Sequence, residues 1–310
     1  MNLPFQLRET APFDVAGFGT NAVDFLITVP SYPAFGSKIE LDHYLRFPGG
    51  EIATTLSGLQ RLGASTTYAG RFGDDDAGDF GIESLRMEGV DVAHCERIEG
   101  AATQIAFIVI DAQSGERTVI WKRDARLRFT SDAAPLDVAR SAKVLHMTPH
   151  DGAACVAMAK AARDAGTLVS VDLDNLFEAT DELLRLTDIL IVSSDMPRRL
   201  FGTIEIEEGL RKLEEMTGAG VVGITQGEEG SLLLCGGQFI KTPGFRVPGV
   251  CRDTTGAGDA FRTGLLYGVL RGYSVEECAR VANAVAALNC REVGARTALP
   301  NLEELHEILG

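Results

Sequence analysis

The chain has 310 residues, 45% of them hydrophobic, with 44 Asp and Glu against 29 Lys and Arg. The resulting formal charge of −15 argues against non-specific binding to nucleic acid or anionic membranes, and no run approaches the roughly 20 apolar residues that span a bilayer. Any phosphate anion must therefore be held by local features that outweigh the global field: backbone amides, a helix N-terminus, a metal or a few placed cations.

The opening stretch MNLPFQLRETAPF has neither a basic n-region nor an apolar h-region, so no secretory leader is expected. Residues 13–19 (FDVAGFG) read as a buried strand and 49–63 (GGEIATTLSGLQRLG) as a helix entered through two glycines. A strand at 65–73 and a helix at 77–90 follow. Further on, AKVLHMT, TLVSVDLD, DILIVSS and GVVGITQG are short apolar runs separated by helical segments such as ACVAMAKAARDAG. Repeated βα units of this kind predict a Rossmann-like α/β fold, a mostly parallel sheet flanked by helices. Two regions break the rhythm. Residues 25–47 and 103–123, the latter built around a turn at 111–115, alternate apolar and polar positions, as suits an antiparallel sheet with one exposed face. They predict a small β-sheet lid, from segments at about 24–48 and 103–124, on a single domain spanning 1–310. The six scattered cysteines form no CxxC pair and read as reduced thiols of a cytoplasmic protein.

The most informative stretch is CRDTTGAGDAFRTGLLYGVLRG (251–272). Gly256, Ala257 and Gly258 leave room for a phosphate to approach the backbone, and the free N–H groups of the following helix turn point at it. Asp259 sits beside this anion site. A carboxylate there is a liability unless it does chemistry, and accepting the proton of an attacking hydroxyl is such chemistry. The alternative is an ordinary acid at a helix N-terminus.

This string, DTTGAGDAF, resembles the signature of the ribokinase-like, or PfkB-type, carbohydrate kinases. The resemblance extends to Asn21-Ala22-Val23-Asp24, to Gly49-Gly50, to Thr225-Gln226-Gly227-Glu228-Glu229-Gly230 and to Gly294-Ala295-Arg296-Thr297-Ala298-Leu299-Pro300. It implies an ATP-dependent kinase for a hydroxyl of a sugar-like molecule, with Asp259 as general base and Gly256 to Gly258 as anion hole. Asp24, Asn21, Gly49, Gly50 and Thr54 would meet the substrate. Thr225, Gly227, Gly230, Thr255, Asn283 and Gly294 would lie along the nucleotide, although Asn283 reads equally as a buried amide. Mg²⁺ is implied with ATP, and K⁺ is a further ion that relatives hold through backbone carbonyls near Asp253, Thr255 and Gly294. An exposed lid sheet also suggests a homodimer through the lid.

Three departures bear on substrate and metal. Thr54 stands where many members have asparagine. The Asn-x-x-Glu element reads Ser193-Ser194-Asp195-Met196, and an Asp-x-Asn element reads Asp172-Leu173-Asp174, both nearer to ketohexokinase-like members. Asp172, Asp174 and Asp195 are the acids that would hold Mg²⁺-bound water; the bland reading is solvated strand-end acids. Lys122, Arg123 and Arg126 cluster at the end of the second lid segment, where Arg123 either meets an anionic group or blunts a strand edge. His146 and His150 flank another strand end and are read as substrate wall or plain structure. Two alternatives to a sugar kinase remain at this point. A nucleoside kinase of the same fold would need an aromatic platform from Phe18, Phe25, Phe47 or Phe107, and a non-catalytic sensor would have no use for Asp259.

Overall fold

The structure is a computed structural model that describes residues 1–41, 44–113, 117–202 and 204–310. Nine strands form the main sheet: β1 (Phe13–Phe18), β4 (Thr66–Gly73), β5 (Asp91–Ile98), β8 (Ala142–Met147), β9 (Leu168–Leu173), β10 (Ile189–Val192), β11 (Val221–Thr225), β12 (Ser231–Cys235) and β13 (Gln238–Thr242). Their order is β13-β12-β11-β10-β9-β8-β1-β4-β5, parallel from β5 to β11, with β12 and β13 antiparallel at one edge. The second sheet holds β2 (Ala22–Val29), β3 (Tyr44–Gly49), β6 (Ile105–Asp111) and β7 (Arg117–Lys122) in the order β3-β2-β6-β7.

The helices are α1 (Glu51–Arg61), α2 (Asp76–Met87), α3 (Leu136–Arg140), α4 (Gly152–Asp164), α5 (Thr180–Leu184), α6 (Met196–Phe201), α7 (Ile206–Thr217), α8 (Ala257–Leu270), α9 (Val275–Asn289) and α10 (Leu302–Leu309). They divide between the faces of the main sheet. Leu56, Leu85, Phe261, Val285 and Leu305 bring α1, α2, α8, α9 and α10 into one core, and Met158, Leu183, Met196 and Leu213 bring α4 to α7 into the other. Strand residues alternate between these cores, Val15 and Val144 facing one, Ala16 and Leu145 the other. A strand buried on both faces needs no polar period, which is why β10 reads as a continuous apolar run.

Two features of this frame position a site. β1 lies between β4 and β8, so the chain leaves β1 towards one edge and later returns to its other side. Such a reversal opens a crevice at the carboxyl ends of the strands. α8 is buried without a break from Ala260 to Val269. Glycines let it pack closely on α9: a Cβ on Gly264 would come within 2.6 Å of Ala282 Cα, and one on Gly268 within 2.8 Å of Cys278 Sγ. The body of α8 is therefore fixed by close packing, while residues 255–259 at its start are only half-buried.

The lid departs from its expected form in one respect. β2–β3 and β6–β7 are antiparallel, but β2 and β6 pair in parallel, so the sheet is mixed. Each expected antiparallel pair forms, and the two join side by side through β2 and β6. The expected turn at 111–115 lies partly outside the described residues. β5 and the β12–β13 hairpin are strands that the apolar rhythm alone did not bring out. Adjacent Gly236 and Gly237, both with positive φ, mark the hairpin turn.

Candidate active site

A cavity of about 380 Å³ lies between the lid and the strand ends of the main sheet. Alternation along the lid strands decides what faces it. Asp24, Ala106 and Trp121 are lateral neighbours in register and all line the cavity, as do Ile108 and Val119 one pleat further on. The opposite wall comes from Thr20 and Glu51, from His150, Asp174 and Phe177, and from Thr255, Gly256 and Asp259.

Gly256 is the N-cap of α8 at φ 76°, in the left-handed region, and a Cβ there would approach Ala295 Cα to 2.8 Å. Only glycine fits this turn. Ala257 spends its N–H on the Thr254 carbonyl at 3.2 Å, whereas Gly256 and Gly258 have no protein acceptor for theirs among the described residues. Two of the three expected anion-hole amides are thus open. The loop is braced by Asp253, whose carboxylate accepts from Thr255 N–H (2.8 Å), Thr255 Oγ1 (2.7 Å) and Gly294 N–H (2.9 Å).

Asp259 is the third residue of α8, and Thr55 and Thr263 hydroxyls fix its carbonyl at 3.2 and 3.0 Å. Burial first, and then the nearby Asp172 and Asp174, push its carboxyl well above the ordinary carboxylate range; Arg262 and Arg296 offset part of this. Arg262, one turn along α8, forms a buried ion pair with Asp172 and donates to the Ile191 carbonyl at 3.3 Å. A Cβ on Gly258 would meet the Arg262 guanidinium at 2.9 Å, so this glycine leaves room for the pair. An arginine inside an otherwise apolar helix was the available signal for Arg262.

On the lid side, Asp24 is 7% exposed, and burial raises its carboxyl to about 6 against the attraction of Arg296. Gly49 lies against it: a Cβ would fall 2.0 Å from Asp24 Oδ2. Arg296, itself buried and lowered to about 10 by desolvation, donates to the Gly49 carbonyl, to Thr54 Oγ1 at 3.4 Å and to Ser84 Oγ at 3.3 Å. Thr54 therefore faces Arg296 and not the cavity. Asn21 is also turned inward, its amide on Tyr68 Oη at 3.2 Å. Of the expected substrate residues, Asp24 and Gly50 line the cavity; Gly49, Asn21 and Thr54 stand behind it.

Arg123 is placed away from the cavity. Both its terminal nitrogens reach the Asp151 carboxylate at 2.7 Å, and one also donates to the Leu127 carbonyl at 3.0 Å, in a nearly buried pair. It pins the end of β7 to the main sheet's loops through this carboxylate and does not line the cavity. Removing one member of a buried pair leaves the other charge unmatched, so Arg123→Ala is expected to lose about 3 kcal/mol in a denaturant titration. The cavity-facing cation is Arg117 at the other end of β7, whose guanidinium reaches Thr254 Oγ1 beside the anion site.

The remaining expected residues separate in the same way. Asp174 lines the cavity, Asp172 is held by Arg262, and Asp195 is half-exposed, 2.7 Å from Ser193 Oγ and 3.7 Å from Arg199. Thr225 ends β11 and Gly227 and Gly230 follow it, all outside this cavity, and a Cβ on Gly227 would meet open space. Asn283 is a buried amide that donates to Ser231 Oγ, the Thr242 carbonyl and the Pro243 carbonyl. That matches its plain structural reading. Gly294, at φ 99°, packs on Phe47 of the lid. His146 is buried on Ser170 at 3.0 Å and lowered to about 3 by burial, so it is neutral.

The aromatic wall differs from the one expected. Phe18 is in the core, Phe25 and Phe107 stack with centroids 5.4 Å apart, and Phe47 meets Gly294; none lines the cavity. Trp121, His150 and Phe177 do so, with His150 between the other two at 6.3 and 4.5 Å. Glu51, directly after Gly50, was also passed over as a site residue, although an acid following a glycine pair at a helix start was a visible signal.

Against known proteins, residues 14–302 match the family model described as pfkB family carbohydrate kinase. The chain belongs to that family. Fructokinase-2 of Oryza sativa subsp. japonica is 30% identical over 95% of this chain and 93% of its own length. A nucleoside kinase of Methanothermobacter thermautotrophicus is 27% identical over 94% of each. The Arabidopsis thaliana ribokinase solved with ribose and ATP superposes with a TM-score of 0.84 at 24% identity, over 96% of this chain and 98% of that one, which establishes the shared fold. This pfkB-family member is an ATP-dependent phosphotransferase that acts on a hydroxyl of a sugar-like small molecule. No helix among the described residues is long and apolar enough to cross a membrane.

Proposed function

We propose that Asp259 is the general base of this kinase and that the acceptor binds under the lid with a hydroxyl directed at it. The observation that carries the proposal is that Asp24 on the lid and Asp259 at the start of α8 line one cavity. The acceptor oxygen attacks the γ-phosphorus of ATP in line. Its O–H proton passes to Asp259, and the bond from the γ-phosphorus to the bridging oxygen breaks, releasing ADP. Gly256 and Gly258 N–H groups and the dipole of α8 stabilise the transferring charge, and Arg117 adds a cation from the lid.

Among the described residues no three His, Cys, Asp or Glu side chains converge as a metal cage. The cavity-facing Asp174, an oxygen donor among other acids, fits a hydrated Mg²⁺ that arrives with the nucleotide. Mg²⁺ would neutralise the β- and γ-phosphate oxygens. For K⁺, Asp253 draws the Thr255 and Gly294 segments together, as a carbonyl-lined site requires. Free thiols at all six cysteines accord with a cytoplasmic location.

The outer lid face carries Phe25, Tyr44, Phe107 and Ile120, the last three 62, 40 and 55% exposed, and we assign it to a homodimer through the lid. Phe107→Asp is then expected to shift the mass measured by light scattering from dimer to monomer. An unchanged mass would refute the assignment.

The Trp121–His150–Phe177 wall supports a second reading, a nucleoside acceptor stacked on these rings. The test is ADP release from MgATP with ketoses, aldoses, sugar acids, sugar phosphates and nucleosides, with and without K⁺. Turnover on one class decides between the readings. No turnover on any class, with ATP bound in calorimetry, would return the protein to the sensor alternative.

A further inference from the structure

We propose that Glu51 determines acceptor specificity: its carboxylate takes a hydrogen bond from an acceptor hydroxyl and, with Asp24, restricts the enzyme to uncharged polyols. Sugar acids and sugar phosphates are thereby excluded. The proposal rests on the kinase reading above and narrows it.

Glu51 is the first residue of α1, where the chain leaves the lid strand β3 through Gly50 at φ 90°. An acid at this position ordinarily stabilises the helix dipole from solvent. Glu51 instead faces inward. Its Oε2 accepts from Thr20 Oγ1 at 3.5 Å and lies 3.9 Å from His150 Nδ1, and the side chain lines the cavity together with Asp174. Glu51 thus stands on the cavity wall with Asp24, Asp174 and Asp259, where an acceptor hydroxyl under the lid can reach it.

The charges on the cavity wall point the same way. Asp24, Glu51, Asp174 and Asp259 all line it, and Arg117 is the cation among the described lining residues. Arg117 is engaged at Thr254, beside the anion site, and so belongs to the phosphate end. A carboxylate or phosphate on the acceptor would meet acids with no cation to receive it. Hydroxyls would meet acceptors. Gln104, on the same wall, has an Oε1 without a partner among the described residues, and Trp121 and Phe177 add apolar surface for the C–H side of a ring.

The deciding experiment measures kinetics and calorimetric acceptor binding for the wild type, Glu51→Gln and Glu51→Asp against neutral sugars, nucleosides, sugar acids and sugar phosphates. The wild type is expected to favour a neutral acceptor over its acid or phosphate analogue by at least about tenfold. Glu51→Gln should raise KM for that neutral acceptor roughly ten- to hundredfold, the range for a hydrogen bond to a charged group, and narrow its preference over anionic analogues. Glu51→Asp, which keeps the charge but shortens the reach, should raise KM and still reject anions. Three results would each overturn the proposal: wild-type preference for an anionic acceptor, an unchanged KM and preference in Glu51→Gln, or a change confined to the Mg²⁺ requirement. Failure of the kinase reading is distinguishable, because it abolishes ADP release on the whole panel while binding of neutral acceptors still reports on Glu51.

Discussion

Asp259→Asn is expected to lower kcat by at least roughly 10², the lower end for removal of a general base, with little change in ATP affinity. The amide keeps the shape of the side chain and its place on α8 but cannot take the acceptor proton. The pH profile of the wild type checks the same assignment. Burial, together with Asp172 and Asp174, raises the Asp259 carboxyl, so more of the free enzyme carries an inactive, protonated base as pH falls. The acidic limb of kcat/KM should therefore lie well above 3.8. Full kcat in Asp259→Asn would remove Asp259 from the mechanism.

Asp24→Asn is expected to weaken acceptor binding while strengthening the fold. An ionised Asp24 accepting two hydroxyls contributes two charge-assisted hydrogen bonds, so its loss should raise acceptor KM on the order of 10²-fold. Stability moves the other way. The folded carboxyl titrates at about 6 against 3.8 for the free group, so the native state binds more protons between these values. Its contribution is therefore greatest below pH 3.8 and is lost as pH rises through about 6. The cost above that is on the order of 3 kcal/mol. Asp24→Asn should be more stable than the wild type at pH 8, and the difference should vanish near pH 4. Denaturant titrations at the two pH values check this. A destabilised variant at pH 8 would mean that the Arg296–Asp24 attraction outweighs the burial of the acid.

Much of the site was legible because its chemistry depends on local sequence. A glycine cap followed by an acid in the first helical turn places Asp259 beside open amides whatever surrounds it. Asp24 was expected from the family resemblance, and the structure places it near the start of β2, in register with Ala106 and Trp121. Arg123 and Arg117 were not separable by the same rule. They stand at opposite ends of one exposed strand, and only the contact of β7 with Asp151 at one end and with Thr254 at the other assigns them. Phe25 and Phe107 were offered as a platform and lie on the outer face, because the parity of a strand gives a shared face but not which face is covered.

By itself, then, the sequence determined the βα frame, the small second sheet and the glycine turn that opens α8, since period, glycine placement and helix starts act over a few residues. The tertiary structure alone decided the rest. It paired Arg262 with Asp172 across 90 positions, set Arg296 behind Gly49 and Thr54, and gathered Glu51, Asp174 and Asp259 around one cavity. These depend on how separate strands end at a common crevice, and the energy of a buried charge is set by the neighbours that folding brings to it.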